Sequence, residues 1–250
     1  MDSNRAQYIR SVRVARGHHG DDYPFNLPIV RRLRKSPDGL PIPPGITFLV
    51  GENGSGKSTL IEAIAVAAGM NAEGGSQNYR FATRSSESPL GANLTLSWGT
   101  RKPHSRFFLR AESYYNVATE TENIGPEQLE KVFAGVSPHD RSHGQSFIDL
   151  MLLRFYPRGL YILDEPEAAL SPRGCMAAVA RLAELAAEGC QILVATHSPI
   201  LLSVPGATIF AISEDGDIEE VAYDDAMPVR LTRDFLAEPE RYLRHLVSDR

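Results

Sequence analysis

Residues Gly51-Glu52-Asn53-Gly54-Ser55-Gly56-Lys57-Ser58-Thr59 lie between the apolar run Ile46-Thr47-Phe48-Leu49-Val50 and the helix-like stretch Leu60 to Ala68. A glycine-rich turn of this spacing, entered from a strand and left through a helix, commits the chain to an α/β unit that grips a nucleoside triphosphate. Gly51, Asn53, Gly54, Ser55 and Gly56 form a backbone cradle whose N–H groups curl around phosphate oxygens, and the helix N-terminus adds its positive end. Lys57 is expected to reach the β- and γ-phosphates, Ser58 to ligate Mg²⁺, and Thr59 to bond the α-phosphate. A chance Gly/Ser turn would share the composition without the strand before and the helix after.

A P-loop leaves kinase, GTPase, helicase and transporter readings open, and further segments narrow them. Leu160-Tyr161-Ile162-Leu163-Asp164-Glu165-Pro166-Glu167 reads as a short apolar strand ending in adjacent carboxylates. Asp164 is placed to hold Mg²⁺ through a water and Glu165 to activate the attacking water as general base. Gln191-Ile192-Leu193-Val194-Ala195-Thr196-His197 reads as another buried strand with a histidine at its C-terminal edge. Ligands of an open parallel sheet sit at the carboxyl ends of its strands, so the P-loop, Asp164, Glu165 and His197 are expected at one crevice.

Ser142-His143-Gly144-Gln145-Ser146 precedes the apolar stretch Phe147 to Phe155, and Ala168-Ala169-Leu170-Ser171-Pro172 follows the carboxylates. In this order the segments resemble the ATP-binding-cassette (ABC) ATPases, whose signature has the form Leu-Ser-Gly-Gly-Gln. Ser142, Gly144 and Gln145 keep that pattern, while His143 replaces a glycine and Arg141 the leading leucine. The departure resembles compact, stand-alone bacterial AAA-family ATPases of the SMC/RecF-like branch more than transporter subunits. The resemblance implies a P-loop NTPase of ABC type, with a mostly parallel core sheet, an antiparallel β-subdomain and a small helical lobe. It implies ATP and Mg²⁺ as ligands and a head-to-tail, ATP-dependent homodimer in which Ser142, Gly144 and Gln145 contact the partner's nucleotide. It also makes His197 a γ-phosphate sensor, Gln77 of Gly74-Gly75-Ser76-Gln77 a Q-loop residue touching Mg²⁺ and the lytic water, and residues 168–172 a D-loop. A polar helix start at Ser142 and an ordinary strand-end His197 are the bland alternatives.

At 250 residues and 42% hydrophobic, the chain can bury one large core, expected as a single domain over 1–250 with the helical signature lobe at about 111–150. It has no apolar run long enough to span a bilayer and a polar start, Met1 to Arg5, so a cytoplasmic protein without membrane insertion is expected. Cys175 and Cys190 lack metal-ligand spacing and read as reduced packing residues. The net charge of −5 gives no overall pull toward nucleic acid, yet Arg5, Arg10, Arg13, Arg16, Arg31, Arg32, Arg34 and Lys35 make the N-terminal region basic. DNA is therefore a candidate partner beside an unidentified protein, and a solvated strand face is the plainer explanation of the arginines.

Along the chain, Tyr8 to Arg16 reads as an edge strand and Pro24 to Arg34 as a connecting segment. Asn93 to Trp98 and Arg106 to Arg110 read as antiparallel bracing strands, and Ser171-Pro172 as the cap of a helix reaching about Glu188. Ile209 to Ser213 and Ile218 to Tyr223 read as late strands, followed by a helical tail broken at Pro239. Tyr8, Tyr23 and Phe25 are each candidates to stack on adenine. The interval from Gln77 to Ser142 is too short for long coiled-coil arms, and no guanine-reading motif occurs. An ATP-hydrolysing engine for a partner in DNA maintenance or a defence or toxin–antitoxin module is the leading expectation. The nucleotide-binding subunit of a membrane transporter and a small-molecule kinase are the alternatives.

Overall fold

The structure, a computed structural model, describes residues 6–17, 22–71, 89–111 and 143–247. Six strands form the central sheet in the order β5-β6-β7-β3-β8-β9. These are β3 (Ile46–Gly51), β5 (Arg106–Arg110), β6 (Leu160–Asp164), β7 (Gln191–Ala195), β8 (Thr208–Ile212) and β9 (Ile218–Val221). The first five are parallel, and β9 closes one edge as an antiparallel hairpin with β8. Strands β3, β6 and β7 are buried at every position, because helices cover both faces of a parallel sheet.

Alternate residues of each strand feed two cores. Phe48, Val50, Leu109, Tyr161, Leu163, Ile192 and Val194 pack on one face against α4 (His143–Arg154) and α5 (Pro172–Ala187). Leu49, Phe108, Ile162, Leu193 and Ala195 face the other way, onto α2 (Lys57–Ala67) and α1 (Pro28–Lys35). The cap of α5 is as the sequence implies: the Ser171 hydroxyl accepts the Gly174 N–H at 3.1 Å, with Pro172 at the first helical position. The remaining helices are the short α3 (Pro89–Ala92) and a C-terminal pair, α6 (Met227–Ala237) and α7 (Pro239–Val247), parted at Pro239 as expected.

A second, antiparallel sheet has the order β2-β1-β4, from β2 (Leu40–Pro41), β1 (Ile9–Val14) and β4 (Leu94–Trp98). Three expectations are corrected here. The Tyr8 to Arg16 strand is central in this sheet rather than an edge: Ile9, Val12 and Val14 are buried while Arg10 and Arg13 are exposed, so the alternation reports one solvated face. Pro24 to Arg34 is no mere connection, since it contains α1, whose Ile29, Val30 and Leu33 are buried at helical spacing. Finally, β4 and β5 do not pair; β4 joins β1, whereas β5 lies parallel to β6. The consecutive buried residues Phe107, Phe108 and Leu109 require a strand covered on both faces, which only the core sheet supplies.

Gln191, fully buried at the start of β7, ties the two sheets together. Its side-chain oxygen accepts the N–H groups of Tyr8 (2.9 Å) and Ile9 (2.8 Å), and its amide nitrogen donates to the carbonyls of Ile9 (2.8 Å) and Pro43 (3.1 Å). Gln191→Leu would keep the volume and strand several buried backbone groups, so we expect a loss of roughly 3 kcal/mol in stability. Urea unfolding checks this, and a midpoint equal to wild type would refute the tie.

Candidate functional site

The carboxyl ends of four neighbouring parallel strands meet in register, because Arg110 pairs with Asp164, Asp164 with Ala195, and Leu49 with Ala195. The loop after β3 therefore opens onto the same crevice as the ends of β5, β6 and β7. Gly54 and Gly56 both hold positive φ, 84° and 88°, a conformation that side chains resist. A Cβ on Gly56 would also stand 2.8 Å from the Ile29 side chain, so α1 fixes the loop from behind.

Lys57 opens α2 and is buried, its ammonium donating to the carbonyls of Gly51 (2.8 Å) and Glu52 (2.9 Å) and the Ser55 hydroxyl (3.4 Å). Burial pulls its pKa below the ordinary lysine value, while Glu165, Asp164, Glu167 and Glu52 pull the other way. Asn53 and Gly54 are exposed at the loop tip, and Ser58 and Thr59 are half-buried in the first turn of α2. Tyr23, 66% exposed, places its hydroxyl 3.1 Å from that of Thr59. Of the three aromatic candidates for adenine, Tyr8 is excluded. It is buried, with its hydroxyl donating to the Gly189 carbonyl, at the opposite end of β7. Phe25 is partly buried against the core.

Asp164 is almost wholly buried; its Oδ2 accepts from Arg110 Nε at 2.9 Å, and its buried Oδ1 has no hydrogen-bond partner among the described residues. Glu165 sits at φ 46°, a left-handed conformation unusual for a glutamate, and its N–H donates to the Ala195 carbonyl at 2.9 Å. Strain of this kind concentrates where a side chain must be aimed. Its Oε1 lies 3.7 Å from His197 Nε2, so Glu165 and His197 face each other across the crevice.

Two contributors escaped the sequence reading. Glu167 accepts the His197 backbone N–H through Oε1 at 2.5 Å, fixing the loop that carries the histidine. Arg110 ends β5 and forks between Asp164 and Glu62 of α2, with Nη1 donating to Glu62 Oε2 at 2.9 Å. Burial alone would lower the Arg110 pKa, but Asp164 and Glu62 reverse this and hold the guanidinium above its ordinary value. Burial pushes the Glu62 carboxyl up, opposed by Arg110. A charged residue closing a buried parallel strand was the available signal, obscured by reading β5 as antiparallel.

Gln77 and Ser142 lie outside the described residues, as does most of the expected helical lobe. Helix α4 begins at His143, which puts Gly144 and Gln145 in its first turn, with Gln145 exposed. Among the described residues no cluster of three or more His, Cys, Asp or Glu side chains could hold a metal. The hard oxygen donors present, the Ser58 hydroxyl and the buried Asp164 Oδ1, without a hydrogen-bond partner among the described residues, suit Mg²⁺ completed by phosphate oxygens. The basic N-terminal segment is partly answered within the chain, since Arg32 pairs with Asp217 at 2.8 Å on the exposed β8–β9 turn. Among the described residues no helix is long and apolar enough to cross a membrane, and Cys175 and Cys190 are free and buried.

A glycine cradle, a buried lysine and two strand-end carboxylates define a P-loop nucleotide site. Two family models match the chain: an AAA domain over residues 32–150, and an AAA domain described as a putative AbiEii toxin of a type IV toxin–antitoxin system over residues 136–203. No curated protein matches it. Solved structures similar to it include cbiO1 of Clostridium perfringens, part of the ABC transporter complex cbiONQ. That chain is 19% identical, with 97% of this chain and 100% of that one covered and a TM-score of 0.48. The SMC head domain from Thermotoga maritima is 16% identical over 71% of this chain and 89% of that one, with a TM-score of 0.38. The two AAA-domain matches, which together span residues 32–203, and the geometry of the site support a nucleotide-binding P-loop ATPase.

Proposed function

We propose that the chain hydrolyses ATP to ADP and phosphate in a composite site formed by two copies, and that this cycle drives a partner protein. The convergence of Lys57, Asp164, Glu165 and His197 on the carboxyl ends of adjoining strands carries the reading.

Lys57 would leave the carbonyls of Gly51 and Glu52 for the β- and γ-phosphates, whose charge answers the desolvation its ammonium bears. Ser58 and Asp164 would hold Mg²⁺, with Gln77 as a further ligand; the ion, when bound, neutralises phosphate charge in the transition state. Glu165 would orient the attacking water and take its proton, and His197 opposite it would read the γ-phosphate. Tyr23, exposed beside Thr59, is the best placed of the aromatic candidates to cover the base.

Ser142, Gly144 and Gln145 would close the partner copy's site, offering the N-terminal end of α4 to its γ-phosphate. ATP then glues two copies, and hydrolysis weakens the joint. The departure of the signature at Arg141 and His143 and the toxin–antitoxin description of the matched AAA model favour a defence or toxin–antitoxin partner or a role in DNA maintenance.

Mixing two inactive variants tests the shared site. Lys57→Ala breaks the P-loop and spares the signature, whereas Ser142→Arg blocks the signature and spares the P-loop. A two-fold axis gives the mixed dimer one doubly damaged site and one intact site, so an equal mixture should regain about a quarter of wild-type ATPase activity if sites act independently. Absence of recovery, with mixed dimers demonstrated by differential tagging, would mean that Ser142 does not act across the interface or that one site cannot fire alone, and substantial activity of Ser142→Arg by itself would overturn the signature assignment.

A further inference from the structure

We infer that Arg110 is a positioning residue for the metal site: it fixes the Asp164 carboxylate through Oδ2 so that Oδ1 alone is presented to the cation, and it ties that carboxylate to the P-loop helix through Glu62. The inference rests on the proposed role of Asp164 as the carboxylate that holds Mg²⁺.

The geometry is a fork between two carboxylates on different elements. Nε donates to Asp164 Oδ2 and Nη1 to Glu62 Oε2, both at 2.9 Å, with the Arg110, Glu62 and Asp164 side chains only 23%, 16% and 4% exposed. Both bonds are charge-assisted and sheltered from water, which makes them strong and directional. A planar guanidinium with donors at fixed angles can hold two carboxylates at once, which a lysine ammonium on a flexible stem does far less well. The consequence for Asp164 is asymmetric. One oxygen is saturated by Arg110; the other is buried and has no hydrogen-bond partner among the described residues. An unpaired buried carboxylate oxygen is costly unless a cation or donor completes it, so the fork leaves one acceptor that a bound cation would satisfy.

Charge points the same way. A lone arginine beside Asp164 would repel a divalent cation and compete for the carboxylate. Here Glu62 balances that charge, and the three side chains together keep the single negative charge that Asp164 would carry alone. Arg110 therefore orients the carboxylate without cancelling it, as the outer partners of metal-binding groups do. Glu62 adds a mechanical link, since it lies on α2, whose first residues are Lys57 and Ser58. The phosphate-binding turn and the Asp164 carboxylate are thus held to one another by a single side chain.

The test separates orientation from charge. Arg110→Met combined with Glu62→Gln removes the fork, approximates both shapes and leaves the net charge of the cluster unchanged. Each protein is saturated with a non-hydrolysable ATP analogue and titrated with Mn²⁺, free ion being followed by electron paramagnetic resonance. Affinity for the analogue alone is measured calorimetrically in EDTA. We expect Mn²⁺ affinity about tenfold weaker in the double variant, with metal-free analogue affinity unchanged. Arg110→Lys, which is milder to folding, should weaken Mn²⁺ about threefold. Wild-type Mn²⁺ affinity in both variants would overturn the positioning role, and tighter Mn²⁺ binding would make Arg110 a competitor instead. Parallel loss of metal-free analogue binding would reduce it to a structural tie. A wild-type protein that adds nothing to the analogue's own Mn²⁺ affinity would instead remove the Asp164 metal reading beneath the proposal.

Discussion

Lys57→Ala should bring ATP hydrolysis to background and weaken ATP binding by roughly ten- to a hundredfold, the loss of a charged hydrogen bond to phosphate. The ammonium is buried on the carbonyls of Gly51 and Glu52, and desolvation already depresses its pKa. Phosphate supplies the counter-charge that those neutral carbonyls do not. In the transition state, where negative charge shifts across the β- and γ-phosphates, removal of one preorganised donor costs on the order of a hundred- to a thousandfold in turnover. Folding should be little affected, since the side chain bonds only its own loop. Phosphate release with ATP and Mg²⁺, calorimetric ATP affinity and a thermal melt measure the three quantities. Turnover near wild type in a folded variant would end the P-loop assignment.

What the sequence disclosed about this site follows from how local each signal is. The P-loop spans nine consecutive residues whose types are dictated by phosphate geometry, and Asp164 and Glu165 announce themselves by closing an apolar strand. The Ser171 cap and the break at Pro239 are equally local. Arg110 was missed because its meaning lies in partners 54 and 48 residues away, and those become neighbours only once β5 is placed beside β6. Glu167 has no local signal of its own; its function in the fold, a bond to the His197 backbone, needs the β6 and β7 loops to be adjacent. The misreading of β5 had a physical origin too. A five-residue run flanked by arginines looks amphipathic at its ends, and only the three consecutive buried residues between them reveal cover on both faces.

Replacing Glu165 by glutamine separates binding from chemistry. The amide keeps the shape of the side chain and an oxygen facing His197, now 3.7 Å from the glutamate Oε1, but it cannot take a proton from water. Loss of a positioned general base costs on the order of a hundred- to ten-thousandfold in hydrolysis, whereas Lys57 and the backbone cradle, the groups proposed to bind ATP, are untouched. The substitution also changes nothing in the backbone strain at φ 46°, because glutamine meets the same left-handed penalty as glutamate. ATP should therefore bind and remain. If two copies close over nucleotide, the closed form is then favoured by mass action for as long as ATP persists, and it should accumulate rather than cycle. Light scattering coupled to gel filtration should show Glu165→Gln at twice the monomer mass with ATP and Mg²⁺, and at monomer mass with ADP. Wild type, if it clears its own ATP as proposed, should show the dimer only transiently. Rapid hydrolysis by the variant would remove Glu165 as the base. A slow variant that binds ATP tightly yet stays at monomer mass at high concentration would instead refute the two-copy closure while leaving the chemistry of the single site intact.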